Sequence, residues 1–293
     1  LIWLDPMPLP QDIGKAYANY YTHSTGDSSR RAGLLKQLYR LMKRGYWLGR
    51  YQYPVSGPIK TLGKLLYLFP VRRNDMDSEA RYLTAVPQGR LLDVGCGSGE
   101  WLLLMRELGW QAEGVDFDEN AVKAAGQRGL EVGCGALEKQ NYPDETFDAI
   151  TLNHVIEHVP DPVGTLVECA RILKKGGKLV IFTPNGASLS HKVFKRHWRG
   201  LEPPRHLHVF SFQSLPALFK RAGFLSVNLH PQIARSVICQ SLLLRRGGAV
   251  SMSGSAPGRA AGVFASLFNL AEVICLNWDP AAADCVGAVA VKQ

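Results

Sequence analysis

The 293-residue sequence has no CxxC pair and no Cys/His cluster at zinc-ligand spacing. Its six cysteines, at 96, 134, 169, 239, 275 and 285, are scattered, and several lie inside apolar runs. That argues against a disulfide scaffold or structural zinc, and for free thiols in a reducing, cytoplasmic compartment. There is no internal repeat, which excludes solenoids and propellers. No secretory signal peptide is visible. The apolar stretch near 260–278 is broken by Asn269, Glu272 and Asn277, which argues against a membrane-spanning helix. Between Arg30 and Arg73 acidic residues are missing altogether, against eleven Lys and Arg. The chain carries +9 overall, so this segment's +11 leaves −2 for the remainder. Basicity is therefore local, and any acidic partner is to be sought there.

What is present is a soluble globular composition, 46% hydrophobic and 20% charged, with enough apolar residues for a sizeable core. RAGLLKQLYRLMKRGYWLGR (31–50) repeats leucines at three- and four-residue steps and reads as a basic amphipathic helix. From residue 78 strands and helices alternate. SEARYLTAV reads as a helix capped by Ser78, RLLDVG as a buried strand, and FDAITLNHVIEHV as a strand running into a helix start. RSVICQSLLLRR reads as strand or helix, and DCVGAVAVKQ as a final strand. This pattern predicts an α/β fold: a doubly wound, mostly parallel, seven-stranded sheet with helices on both faces. Residues 1–77 are expected to form a basic N-terminal helical extension. Residues 78–293 form the main domain, with an insertion at about 235–283.

The first strand exits into GCGSG, with glycines at 95, 97 and 99. A glycine-rich strand-to-helix turn lets backbone approach a ligand. No Lys follows Gly99, which excludes a P-loop, and Glu100 stands where a nicotinamide-type GxGxxG needs glycine. Asp116, at the end of the second strand, is placed to accept hydrogen bonds from ribose hydroxyls.

The series LLDVGCGSG, EGVDFD, CGALEKQNYPDETFDAITLNHVIEHVPDP and ARILKKGGKLVIFTPN resembles the class I S-adenosylmethionine-dependent methyltransferases. It is most similar to the branch holding ubiquinone-pathway O-methyltransferases and polysaccharide-cluster methyltransferases. The resemblance covers roughly residues 80–230, with the last strand belonging too, and implies a Rossmann-like sheet whose last strand is antiparallel. It implies S-adenosylmethionine as cofactor, with Asp93, Gly95, Cys96, Gly97 and Gly99 forming the cradle for its methionine end. Asp116 would hold the ribose, Phe117 would pack beside the adenine, and Ala136 and Leu137 would flank that ring. Gly135 stands where many relatives carry an acidic residue. Asn153 and His154 would leave the fourth strand beside the sulfonium, and an N-terminal Tyr20, Tyr21, His23 segment would fold over the cofactor as a lid.

In NHVIEH, His154, Glu157 and His158 are spaced to share one helix face. Three roles are open: His158 as general base, the trio as a divalent-metal site, or local bonds that fix the loop. The first position is His154 where metal-assisted relatives have Glu, so no metal is expected. The loop 191–211 adds His206 as a second candidate base, with Trp198, Arg205 and His208 as candidate substrate contacts; a packed structural loop is the alternative. Methyl transfer to a hydroxyl or amine of a small acceptor, anionic, glycan or lipid-linked, is the expected activity. The alternatives are an RNA methyltransferase using the basic segment and a non-catalytic cofactor-binding module. LNHVIEH replaces the NPPY or DPPY of nucleobase N-methylating enzymes, which disfavours nucleic acid. Peripheral contact with an anionic membrane is the other partner the basic segment suggests.

Overall fold

The computed structural model describes residues 1–8, 12, 34–53, 61, 63–68, 70–248 and 259–293. Tyr20, Tyr21 and His23 lie outside the described residues. A short strand β1 (Ile2–Trp3) is followed by helices α1 (Leu34–Arg50) and α2 (Pro70–Glu79). Alternation then begins with β2 (Arg90–Val94), α3 (Glu100–Glu107), β3 (Gln111–Asp116), α4 (Glu119–Gly126), β4 (Val132–Cys134) and β5 (Phe147–Asn153). It continues with α5 (Pro162–Ile172), β6 (Leu173–Pro184), α6 (Leu189–Phe194), β7 (His208–Val209) and α7 (Leu215–Arg221). The chain closes with β8 (Val227–Gln232), α8 (Arg235–Arg245), α9 (Arg259–Cys275) and β9 (Cys285–Val291).

Seven strands form one sheet in the order β4-β3-β2-β5-β6-β9-β8. β2 pairs in parallel with β3, from Arg90↔Gln111 to Val94↔Val115, and β3 in parallel with β4. The reversed last strand is where the sequence places it. At its end Lys292 N–H donates to Gly177 O (3.0 Å) and Gly176 N–H to Lys292 O (2.8 Å). At its start Asn185 N–H donates to Asp284 O (2.8 Å). β8 is antiparallel to β9. Winding outward from β2 through β3 to β4, then from β5 to β6, puts the topological switch point between β2 and β5. That is the position at which such sheets bind ligands.

By compactness the chain divides into two units, residues 22–151, 171–180 and 291–293, and residues 1–21, 152–170 and 181–290. The first unit packs Leu91, Leu92, Leu102, Met105, Val115, Phe147 and Ile150 as its interior. In the second, Leu152, Ile156, Leu166, Ile181, Leu215, Phe219 and Val286 do the same. Both sets follow from continuous apolar strands, as expected of parallel strands covered on both faces.

One helix is misread from the sequence. SEARYLTAV does not begin a helix at Ser78; α2 ends there, and Ser78 Oγ donates back to Asn74 O (2.9 Å) rather than capping. Arg81 and Tyr82 take left-handed φ values of 49° and 55°. The reason is tertiary. Arg81 leaves the helix path to form a buried ion pair with Asp93 and to donate to Thr151 Oγ1 (2.5 Å), while Thr151 donates to the same Asp93 oxygen (2.7 Å). Trp101 lies under the guanidinium at 3.5 Å and donates its indole N–H to Glu79 O (2.8 Å). The ambiguous 235–245 segment is a helix.

Helix α1 is amphipathic as its spacing predicts. Tyr46 and Tyr51 both donate to Asp77 Oδ1 (2.7 and 2.6 Å), and Trp47 Nε1 donates to Met76 O (2.8 Å). Burial, with Asp77 beside them, pushes both phenols up, so they remain donors. Lys43 pairs with Glu79 at 2.6 Å, whereas Leu38 and Leu41 near the start of the helix are exposed.

Removing one member of a buried ion pair strands the other charge at a cost of about 3–5 kcal/mol. Arg81→Met is therefore expected to lower the unfolding free energy by roughly that amount. Arg81→Met combined with Asp93→Leu is expected to recover most of the loss. Urea unfolding of the three proteins checks both statements.

Candidate active site

The glycine loop after β2 is shaped by three left-handed residues: Gly95 (φ 73°), Gly97 (φ 54°) and Gly99 (φ 78°). A Cβ on Gly99 would lie 2.2 Å from Leu130 Cδ1, so that glycine also permits close packing. At Gly97 a Cβ would meet nothing within 4 Å. The loop's amides are mostly engaged internally. Gly95 and Cys96 N–H donate to Val115 O (2.7 and 3.3 Å), Gly97 N–H to Asp116 Oδ2 (2.8 Å), and Gly99 N–H to Cys96 O (3.1 Å). What the loop offers a ligand is thus space and backbone surface more than free donors. Gly114 on β3 is required by the same packing, since a Cβ there would lie 2.5 Å from Cys96 Sγ.

Asp116 closes the cradle. Its Oδ2 holds Gly97 N–H, its Oδ1 holds Asp118 N–H (2.9 Å), and its carbonyl accepts from Gly135 N–H (2.9 Å). Burial raises its pKa, and the two backbone N–H donors oppose that rise. Each oxygen keeps a lone-pair direction for a further donor. Phe117 is exposed, Ala136 is exposed and Leu137 is buried. Gly135 has φ 110°, a backbone conformation that favours glycine over any side chain. Cys96 is pushed up by burial, with Asp93 and Asp116 adding to the effect, so its thiol stays protonated and is no nucleophile. Asp93, counted with the cradle from sequence, is buried beneath the loop on Arg81 and Thr151. Its carboxylate supports the loop from below.

In the other unit, β5 ends at Asn153, which is exposed. The following helix expected from NHVIEH is absent. His154 takes a left-handed φ of 56°, its N–H donates to Phe182 O (2.9 Å), and the chain turns tightly with His158 N–H on Val155 O (2.9 Å). The turn nonetheless brings the expected trio's first two members together. Glu157 is fully buried, with Oε1 3.2 Å from His154 Nδ1 and Oε2 accepting from Thr183 Oγ1 (3.1 Å). Burial alone would raise the Glu157 pKa, but His154, His158 and His206 together hold it down to about 2.

The group that converges on Glu157 is not the one spacing suggested. Glu157, His158 and His206 place one ligand atom each within 4.8 Å of one another. His154 instead stays half exposed. The His158 and His206 rings meet edge to face at 4.7 Å. Their Nδ1 atoms lie 3.0 Å from Arg205 O and 2.7 Å from Gly200 O, and a carbonyl can only accept. Each Nδ1 therefore carries a proton in the neutral ring, and Nε2 is the basic nitrogen. Burial lowers the His206 pKa to about 4, so His206 is neutral near pH 7.

The 191–211 loop is pinned to this cluster through backbone: Leu207 and His208 N–H both donate to Glu157 O (2.8 and 3.1 Å). Trp198, expected to touch substrate, is buried in a core of Phe194, Val209, Ile238 and Ala265, and stacks on His191 at 4.7 Å. Its packing there is structural, because a large indole gains more by joining the core than by staying in water. Arg205, expected to anchor an anion, donates to Glu202 Oε1 (2.6 Å). His208 sits in β7 against β1, its Nε2 buried without a hydrogen-bond partner among the described residues. Sequence reasoning passed over Glu202, which pairs with Arg199 and Arg205 and lies 3.5 Å from His206 Nε2. A lone Glu in a Pro-rich loop carries no local signal. Burial pushes its carboxyl up, but Arg199 and the neighbouring cations hold it below the usual range.

The folded chain refuses a proton at His206 that the unfolded chain accepts below about pH 6.5. Stability from this residue is present above that pH and is lost as pH falls toward 4. His206→Gln should therefore flatten the fall in unfolding free energy between pH 7 and pH 5 by about 1–2 kcal/mol relative to wild type. Urea titrations at the two pH values measure it.

The family model described as "Methyltransferase domain" matches residues 63–229, more than half of the chain. A ubiquinone biosynthesis O-methyltransferase of Idiomarina loihiensis is 40% identical over 103 residues, covering 33% of this chain and 42% of that protein. The chain thus aligns with less than half the length of that relative. A demethylmenaquinone methyltransferase of Bacillus licheniformis is 29% identical over 179 residues, covering 51% of this chain and 76% of that one. Among solved structures, Haemonchus contortus phosphoethanolamine N-methyltransferase 2 in complex with S-adenosyl-L-methionine matches with a TM-score of 0.51 at 19% identity, over 76% of this chain and 52% of that one. That likeness supports the doubly wound fold independently of sequence. With a family model spanning the glycine loop, Asp116 and the histidine turn, the chain belongs to the methyltransferase-domain family.

Proposed function

We propose that the chain transfers a methyl group from S-adenosylmethionine to a hydroxyl of a small acceptor, with His158 as the proton acceptor. The convergence of buried Glu157 and His206 on half-buried His158 carries this reading. The cradle of Gly95, Cys96, Gly97, Gly99 and Asp116 would hold the donor, with Phe117, Ala136, Leu137, Asn153 and Tyr21 as further contacts. In the transfer, the acceptor oxygen forms a bond to the methyl carbon and the carbon–sulfur pair returns to sulfur. The hydroxyl proton goes to His158 Nε2. His206, kept neutral by burial, and the Glu157 carboxylate stabilise the imidazolium that results. The ubiquinone biosynthesis O-methyltransferase relative supports an oxygen as the methylated atom. An anionic or lipid-linked acceptor, and peripheral contact with an anionic membrane, belong to the same proposal.

A second reading has an observation of its own. Two ring nitrogens whose Nδ1–H groups are fixed on carbonyls, beside a buried carboxylate, form a donor set that suits a divalent cation. Glu157, His158 and His206 would hold the ion, which would polarise the acceptor oxygen. His154 stands where metal-assisted relatives carry Glu, and the cation would sit instead between Glu157, His158 and His206. Transfer of labelled methyl to a panel of catechols, glycans and RNA tests both. Under the base reading, His158→Ala lowers kcat by roughly 10²–10⁴-fold with little change in donor KM, and chelator has no effect. Loss of activity on chelation, restored by added divalent metal, favours the cation. Transfer to RNA alone overturns the small-acceptor reading.

A further inference from the structure

Helix α9 exposes an apolar seam. Val263, Leu267, Leu270 and Ile274 follow at four-, three- and four-residue steps, and Leu267 is 62% exposed. Phe264 lies at its margin, and Trp278, 78% exposed, follows the helix end. The opposite face is buried through Ala261, Ala265 and Glu272. Glu272 is the one acidic or basic side chain from Ala260 to Cys275. Burial, with Asp284 beside it, raises its pKa to about 9, so the stretch from Ala260 to Cys275 carries no net side-chain charge near neutral pH, and Arg259 at the helix start is the one cation of α9. Among the described residues no helix is long and apolar enough to cross a membrane.

A basic cavity adjoins this seam in the same unit. It has a volume of about 520 Å³ and is lined by Val193, Phe194, Lys195, Arg196, His197 and Arg245. None of these is acidic, and Lys192 and Arg246 extend the cationic rim in sequence. Its Phe194 wall meets Phe268 of α9 at 5.7 Å, and Phe268 meets Phe264 at 6.0 Å. Helix α8, which ends in Arg245, packs on α9. Apolar seam and cationic cavity are thus joined through three aromatic rings.

We propose that α9 and this cavity dock the chain onto an anionic lipid bilayer. The α9 seam lies in the interface, and headgroup phosphates enter the cavity. The inference rests on the membrane contact proposed above and assigns it to a surface far in sequence from the basic α1. Charge complementarity selects the occupant. A bilayer of anionic lipid neutralises Lys195, Arg196 and Arg245, whereas a second copy of the chain would set this cationic rim against its like. The seam has the composition of an interfacial helix, leucine- and aromatic-rich on one side, with the cations supplied by its neighbours.

Co-sedimentation of the full chain with vesicles of phosphatidylcholine, or of equal parts phosphatidylcholine and phosphatidylglycerol, tests this. Wild type is expected to bind the anionic vesicles in preference and to be released by salt. Leu267→Glu with Leu270→Glu, and separately Lys195→Glu with Arg196→Glu, should each weaken binding at least roughly tenfold. All these positions are exposed, and thermal melts together with unchanged S-adenosylmethionine affinity verify the fold. Arg40→Glu with Arg44→Glu on α1 should bind as wild type does. Loss of binding in the α1 variant alone would leave a membrane contact in place and overturn its assignment to α9. No vesicle binding by wild type would overturn both. A concentration-dependent dimer abolished by the α9 variant, without vesicle binding, would give the seam to a second copy.

Discussion

The glycine loop, proposed as the cofactor cradle, depends on a charge that cannot reach water. Asp93 ends an apolar strand with its carboxylate 2% exposed, and Arg81 and Thr151 satisfy it from below. A buried carboxylate without those partners would have to be neutralised or the strand displaced. Arg81 in turn needs the left-handed break after α2, and Trp101 at the start of α3 covers its guanidinium. The strand end, the helix that follows the glycine loop and the end of α2 are thereby fixed to one another. The loop between them has little freedom left, which suits a surface that must fit one cofactor closely.

Asp116 does for the upper side of the loop what Asp93 does for the lower. By accepting Gly97 and Asp118 N–H it ties the exit of β3 to the exit of β2. A ribose bound there would find a carboxylate already oriented, at little cost in side-chain entropy. The histidine turn follows the same logic. Glu157 is held by Thr183 through one oxygen and by His154 through the other, while its carbonyl anchors the 207–208 backbone. The His158 and His206 rings are consequently oriented by backbone carbonyls rather than by mobile side chains. Pre-orientation of that kind is what proton transfer or metal binding requires.

Much of this was legible in the sequence because it is local. Three alternate glycines mark three left-handed positions, and an acidic residue at the end of the next strand is a short-range pattern. Apolar runs flanked by helical periodicity mark the parallel strands, and the reversed last strand follows from the family resemblance. What escaped was tertiary. SEARYLTAV has helical propensity, and only an ion pair formed with residue 93 pulls Arg81 out of a helix. NHVIEH has helical spacing, but the N–H of His154 is claimed by Phe182. His206 joins Glu157 and His158 from 48 residues beyond His158, a distance over which spacing carries no information. Trp198 reads as a substrate contact because it lies on a loop, and Ile238 and Ala265, which help to bury it, are distant in sequence.

The central claim is that the glycine loop and Asp116 form a site for S-adenosylmethionine. Isothermal titration of the full chain with S-adenosylmethionine and S-adenosylhomocysteine tests it most directly. One site with micromolar affinity for both is expected, weakened at least roughly tenfold in Asp116→Ala, which removes a charged hydrogen-bond acceptor. Absence of heat and of displacement up to high micromolar ligand, in a protein that melts cooperatively, would contradict it.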